Sequence, residues 1–105
     1  NYVEDPLCGF PVTNGLWDDL ANGLLEVFKK EKYPKSNNST SIFIISGSDD
    51  PVGENGKGVY RLNTFLSSIY SKTSIKIEEG ARHEVFSESS KENSYNSLIK
   101  FITTI

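Results

Sequence analysis

Two adjacent aspartates and one histidine are the residues of this chain whose types and spacing fit acid–base chemistry. Asp49 and Asp50 follow the apolar run Ile42–Ile45 and its Ser-Gly-Ser turn, and His83 is the single histidine of the chain. A carboxylate that accepts a hydrogen bond from one imidazole nitrogen fixes the tautomer of the ring and stabilises its protonated form, so that the other nitrogen can act as a general base. Asp50 and His83 are therefore the candidate catalytic residues if the fold brings them together.

Two predicted strands would bring them together. Ile42–Ile45 is a short apolar run of the kind found in strands that are buried on both faces of a parallel sheet. Ser74–Glu79 alternates apolar and charged residues, which predicts a strand near a sheet edge with Glu78 on its wet face. Consecutive parallel strands end at the same edge of the sheet, so we expect Asp50 and His83 to lie there side by side.

Three segments with apolar residues at helical spacing accompany these strands. They begin at Gly15, Val59 and Ser89 and are expected to end near Lys32, Ile69 and Ile105. The apolar positions of the last one are Tyr95, Leu98, Ile99, Ile102 and Ile105. We expect the apolar stripe of the first segment to pack into a core. The predicted fold class is α/β, in the order helix, strand, helix, strand, helix, with two parallel strands.

The predicted sheet is too small to stand alone. Parallel sheets are covered on both faces and rarely contain only two strands. We therefore expect the sheet to be completed by a missing amino-terminal half or by another chain, such as a second copy in a dimer or a domain swap. Residues 1–14 contain two prolines and a Cys-Gly turn and end at an Asn-Gly pair, which is typical of an extended connector.

Composition narrows the classes of function. With 105 residues the chain is one domain or part of one, and its net charge of −3 argues against nucleic acid as a partner. A single cysteine weakly favours a cytoplasmic location, while the compartment itself stays open. Because the first residue is Asn1, we expect the natural start and any signal to lie outside this sequence. The glycine-rich stretch 53–58 does not match a phosphate-binding loop, and neither a cofactor nor a metal is expected.

Four segments, spread over nearly the whole chain, form one recognisable set: Asp5–Phe10, Ile45–Gly53, Gly56–Val59 and Gly80–Glu84. In their order and spacing they resemble the carboxyl-terminal part of α/β-hydrolases, and most closely the lysophospholipase and monoacylglycerol-lipase-like serine hydrolases. The resemblance implies that Asp50 is the acid and His83 the base of a Ser-His-Asp triad. It also implies that residues 1–14 are a connector, through which the chain returns from the cap region that covers the acyl pocket of these enzymes. Residues 15–105 would then be the carboxyl-terminal half of the hydrolase domain.

The same resemblance implies a lipid or small ester as substrate, which is compatible with peripheral contact with a membrane surface. The nucleophile of such enzymes lies in a Gly-x-Ser-x-Gly elbow, and this chain contains no such pentapeptide. Ser46 and Ser48 cannot replace it, because they lie on the turn that carries the acid. Two interpretations therefore remain: a serine esterase or lipase fragment whose nucleophile lies outside this chain, or a non-catalytic α/β module that pairs its half-sheet with a partner.

Overall fold

The computed structural model describes residues 3–33 and 37–105, in two compact units, Asn1–Pro34 and Lys35–Ile105. Its elements are helix α1 (Asn14–Val27), strand β1 (Ser41–Gly47), helix α2 (Lys57–Ser67), strand β2 (Lys72–Glu78) and helix α3 (Lys91–Thr104). Short 3-10 turns occupy Lys30–Lys32 and Glu54–Gly56. The predicted α/β class and the predicted order of the helices and strands are confirmed. The boundary between the two units lies after α1. The predicted division was a different one, between a connector of residues 1–14 and a domain of residues 15–105, and it stays a prediction.

The first unit is built around α1. The Thr13 side chain caps the helix by accepting a hydrogen bond from the backbone nitrogen of Leu16 at 3.2 Å. The helix ends at Val27, before the predicted Lys32, and the Tyr33 hydroxyl donates to the Val27 carbonyl at 2.8 Å. That bond satisfies one of the carbonyls that every helix end leaves free. No residue of α1 is buried, so its apolar stripe does not form the expected core within this unit.

The second unit contains a parallel sheet of β1 and β2. The register runs from Ser41 beside Lys72 to Gly47 beside Glu78, so the two strands end at the same level. Residues 41–46 of β1 are half-buried rather than fully buried. The reason is that, within the described residues, β1 pairs with β2 alone and leaves its other edge without a strand. The completion of the sheet by further strands stays a prediction.

A helix packs on each face of this sheet. Side chains alternate between the faces along a strand, so Phe43 and Thr73 point to opposite sides. On one side, the Ser67 hydroxyl of α2 lies 2.6 Å from the Thr73 hydroxyl. On the other side, the Phe101 ring of α3 stacks on the Phe43 ring with centroids 5.0 Å apart. The unit is therefore a three-layer α/β/α arrangement around a very small sheet.

The packing of α3 does not follow from the sequence pattern. Ile99, Ile102 and Ile105 are 57%, 55% and 71% exposed, so most of the predicted apolar stripe faces away from the sheet. The helix instead lies on the predicted wet face of β2, where the Ser97 hydroxyl donates to Glu78 Oε1 at 3.4 Å. Lys76, on the same face, is exposed as predicted, but the prediction that Glu78 also lies on a wet face is wrong, because α3 covers this side chain and leaves it 5% exposed.

Candidate active site

The site lies where the two strands end, and the turn that follows β1 is bonded directly to the loop that follows β2. The backbone nitrogen of Ser48 donates to the Glu78 carbonyl at 2.9 Å, and that of Asp49 donates to the Ala81 carbonyl at 2.9 Å. In return, the backbone nitrogen of Gly80 donates to the Ser48 hydroxyl oxygen at 2.8 Å. These three bonds hold the two segments against each other beyond the end of the sheet.

This contact requires a glycine at the last position of β1. A Cβ atom on Gly47 would overlap the backbone carbonyls of Ala81 and Arg82. Gly47 itself is buried. The absence of a side chain there allows the loop after β2 to cross directly over the end of β1, which brings the histidine loop to the aspartate turn.

Asp50 and His83 are placed together, as the strand order predicts. His83 Nδ1 lies 3.2 Å from Asp50 Oδ2. The other carboxylate oxygen, Oδ1, accepts from the backbone nitrogen of Val52 at 3.0 Å, which fixes the plane of the carboxylate. Asp50 is 5% exposed, whereas the His83 side chain is 64% exposed. The buried acid thus holds an imidazole whose remaining nitrogen is available at the surface.

Electrostatics keep the acid ionised. Burial by itself raises the pKa of Asp50, but the hydrogen bond from His83 and the backbone hydrogen bond from Val52 outweigh it. The charge of a protonated His83 and the backbone of Gly53 act in the same direction, so the pKa of Asp50 lies below its ordinary value of 3.8. The carboxylate is therefore negative at neutral pH, and it can accept a hydrogen bond from Nδ1 and stabilise a positive charge on the ring.

The neighbouring aspartate has a different environment. Asp49 is exposed, and its Oδ1 atom accepts from the Ser48 hydroxyl at 3.0 Å. Its carboxylate is bound within its own turn, as expected for an aspartate at such a position. Of the two candidates, Asp50 is the one that faces His83. The catalytic role expected for it stays a prediction.

An open depression of about 390 Å³ adjoins the pair and is lined in part by Pro51, Val52 and Arg82. Val52 is 75% exposed, so the rim beside the imidazole is apolar and open. Among the described residues, the hydrogen-bond partner of the imidazole is Asp50. The arrangement supplies an acid–base pair and an apolar approach to it, and the nucleophile of a triad would have to come from elsewhere.

Three supporting residues were missed by reasoning from the sequence: Gly47, Ser48 and Glu88. The carboxylate of Glu88 accepts from the backbone nitrogen of Arg82, next to His83. No local pattern marks it, because a glutamate in a polar loop usually faces solvent. Gly47 and Ser48 lie in a turn that was recognised, but their contacts are made with the other loop.

Two other features, a metal-binding cluster and a membrane-spanning helix, are not found in the described residues. In residues 3–33 and 37–105, no three histidine, cysteine, aspartate or glutamate side chains are grouped so that they could hold a metal ion. Over the same ranges, no helix has the length and apolar character needed to cross a membrane.

Comparison of this chain with known protein families, with curated proteins and with solved structures finds no match.

Proposed function

We propose that this chain is the carboxyl-terminal part of an α/β-hydrolase that cleaves carboxylic esters, of the lysophospholipase or monoacylglycerol-lipase-like kind. Asp50 and His83 are the acid and the base of its Ser-His-Asp triad, and the serine lies outside this chain. The observation that carries the proposal is the 3.2 Å contact between His83 Nδ1 and a buried, ionised Asp50 at the ends of two parallel strands. The motif resemblance of the two loops supports the choice of reaction.

The proposed chemistry follows from this pair. With its proton on Nδ1 held by Asp50, His83 uses Nε2 to take the proton of the serine hydroxyl as that oxygen attacks the ester carbonyl. The imidazolium, stabilised by the Asp50 carboxylate, then returns the proton to the departing alcohol. Water releases the acyl group from the serine by the same two proton transfers. The reaction requires no cofactor.

The partners of the proposed site are an ester and the rest of the hydrolase. The amino-terminal half of the same protein, or a second copy, would supply the serine, the oxyanion hole and the strands beside β1. A lipid substrate fits the apolar rim at Val52, and peripheral contact with a membrane surface would deliver it.

The test compares the two adjacent aspartates in the full-length protein that contains this chain. Asp50→Asn should lower kcat toward a p-nitrophenyl ester by about 10³–10⁴-fold, because it disturbs the imidazole tautomer. Asp49→Asn is the matched control and should change kcat by no more than about threefold, because this carboxylate is exposed. If Asp49→Asn is the inactive variant, the assignment of the acid is wrong.

A second candidate function is favoured by the open edge of β1. The chain would then be a non-catalytic α/β module that pairs its half-sheet with a partner or with a second copy. A Gly-x-Ser-x-Gly elbow upstream in the parent reading frame would decide for the hydrolase. Its absence, together with the absence of serine labelling by a fluorophosphonate probe in the full-length protein, would decide for the module.

A further inference from the structure

One peptide group beside the site is held at both of its ends. It joins Ala81 to Arg82, so it directly precedes His83. Its carbonyl accepts from the backbone nitrogen of Asp49 at 2.9 Å. Its N–H donates to the Glu88 carboxylate, with the nitrogen 2.9 Å from Oε1 and 3.0 Å from Oε2. Because a peptide group is planar, these two bonds together fix its orientation.

We propose that Glu88 is a positioning residue for the Asp50–His83 pair, a role that rests on the catalytic function proposed for that pair. The carboxylate holds the Ala81–Arg82 peptide group against the aspartate turn, and the backbone that enters His83 is thereby fixed. A hydrogen bond from an N–H to an ionised carboxylate is stronger than one to a neutral acceptor, which suits this task.

The surroundings of His83 explain why the loop needs such support. Its side chain is 64% exposed, so few neighbours restrain the ring apart from Asp50. Ala81 and Val85 are 2% and 6% exposed, and they anchor the loop on either side of the histidine. Between these two anchors, two hydrogen bonds hold the backbone on either side of His83: the Glu88 carboxylate accepts from the Arg82 nitrogen, and the Glu84 carbonyl accepts from the Ser87 nitrogen at 2.8 Å.

Glu88 could influence the histidine through its hydrogen bond or through its charge, and substitutions separate the two. Glu88→Gln removes the charge but keeps an oxygen that can accept from Arg82. Glu88→Asp keeps the charge but withdraws the oxygens by one methylene. Positioning predicts that the glutamine variant resembles the parent and that the aspartate variant does not, whereas an effect of charge predicts the reverse.

The first experiment reads the histidine tautomer directly. His83 is the only histidine, so its ring nitrogens give a single set of signals in two-bond 1H–15N NMR spectra of the chain. We expect the neutral ring to carry its proton on Nδ1 in the unsubstituted chain, in Glu88→Gln and in the control Glu79→Ala. The control removes an exposed carboxylate just before the histidine loop. In Glu88→Ala and Glu88→Asp, the preference for Nδ1 should be lost.

An unchanged tautomer in Glu88→Ala overturns the positioning role. If Glu88→Ala does not fold, the other two variants decide. The positioning role is also overturned if Glu88→Asp keeps the preference for the Nδ1 tautomer and Glu88→Gln loses it. In the full-length protein, Glu88→Ala should lower kcat by about 10–100-fold with little change in KM, and Glu88→Gln should restore most of the rate.

The two proposals can fail separately. If the full-length protein hydrolyses no ester but Glu88→Ala still changes the tautomer, the catalytic function is wrong and the positioning of the pair by Glu88 stands. If ester hydrolysis depends on Asp50 and His83 but neither the tautomer nor kcat responds to Glu88→Ala, the catalytic function stands and the role of Glu88 is wrong.

Discussion

The substitution Gly47→Ala offers a sharp test of how the fold assembles the site. Gly47 ends β1, and a Cβ atom there would overlap the Ala81 carbonyl, which lies between the two loops. Its backbone φ lies outside the left-handed range that favours glycine, so alanine is not excluded by its own conformation. The expected effect is therefore purely steric and falls on the contact between the aspartate turn and the histidine loop.

The chain has two ways to accommodate the added methyl group. The loops can separate, which breaks the three hydrogen bonds donated by the backbone nitrogens of Ser48, Asp49 and Gly80, at a net cost of about 1 kcal/mol each. Alternatively they can stay in contact, at an overpacking cost of about 1–3 kcal/mol. Between them, the two routes predict that the free energy of unfolding falls by about 1–3 kcal/mol. If the loops separate, His83 also loses its Nδ1 contact with Asp50.

Chemical denaturation at a fixed protein concentration measures the loss of stability, and the His83 ring spectra measure the loss of the pair. Gly23→Ala is the control, because a Cβ there meets nothing within 4 Å and alanine is the better helix former. It should not lower the stability. If the free energy of unfolding of Gly47→Ala lies within about 0.5 kcal/mol of the parent and the tautomer is unchanged, the two loops do not depend on this close contact.

Three further predictions concern acidity, assembly and activity. Folding lowers the pKa of Asp50, so its contribution to stability is present above the unfolded pKa near 3.8 and is lost as the pH falls through the lower folded pKa. Between about pH 2 and 6, the free energy of unfolding should therefore depend less on pH in Asp50→Asn than in the unsubstituted chain. Because β1 leaves one edge without a strand in the described residues, we expect the chain to self-associate or to bind the remainder of the proposed hydrolase, and sedimentation of a compact, cooperatively unfolding monomer would contradict this. The isolated chain should hydrolyse neither p-nitrophenyl esters nor lysophospholipids above background, and stoichiometric labelling of one of its serines by a fluorophosphonate would refute the location of the nucleophile outside it.

The sequence alone was sufficient to predict the elements of the second unit and the pairing of its two candidate catalytic residues. An apolar run that stops at a polar turn marks β1, and alternating residues mark β2, because these patterns follow from local geometry. Since parallel strands end at a common edge, the placement of Asp50 beside His83 could be predicted without knowing any other contact. The family resemblance also implied that Asp50, rather than Asp49, is the acid.

The face on which each element packs was decided only by the tertiary structure. Periodicity predicted α3 correctly, yet Phe101 contacts the sheet while Ile99 and Ile102 remain exposed. Glu78 reads as a solvent-facing residue, but α3 covers it, because burial depends on what arrives from a distant part of the chain.

The supports of the site depend on tertiary structure in the same way. The need for Gly47 arises from a carbonyl of the other loop, and the role of Glu88 arises from a hydrogen bond to the backbone beside His83. Local sequence patterns record the preferences of neighbouring residues, and neither contact is made within such a pattern. The sequence therefore predicted which residues meet at the end of the sheet, whereas the tertiary structure determined what holds them there.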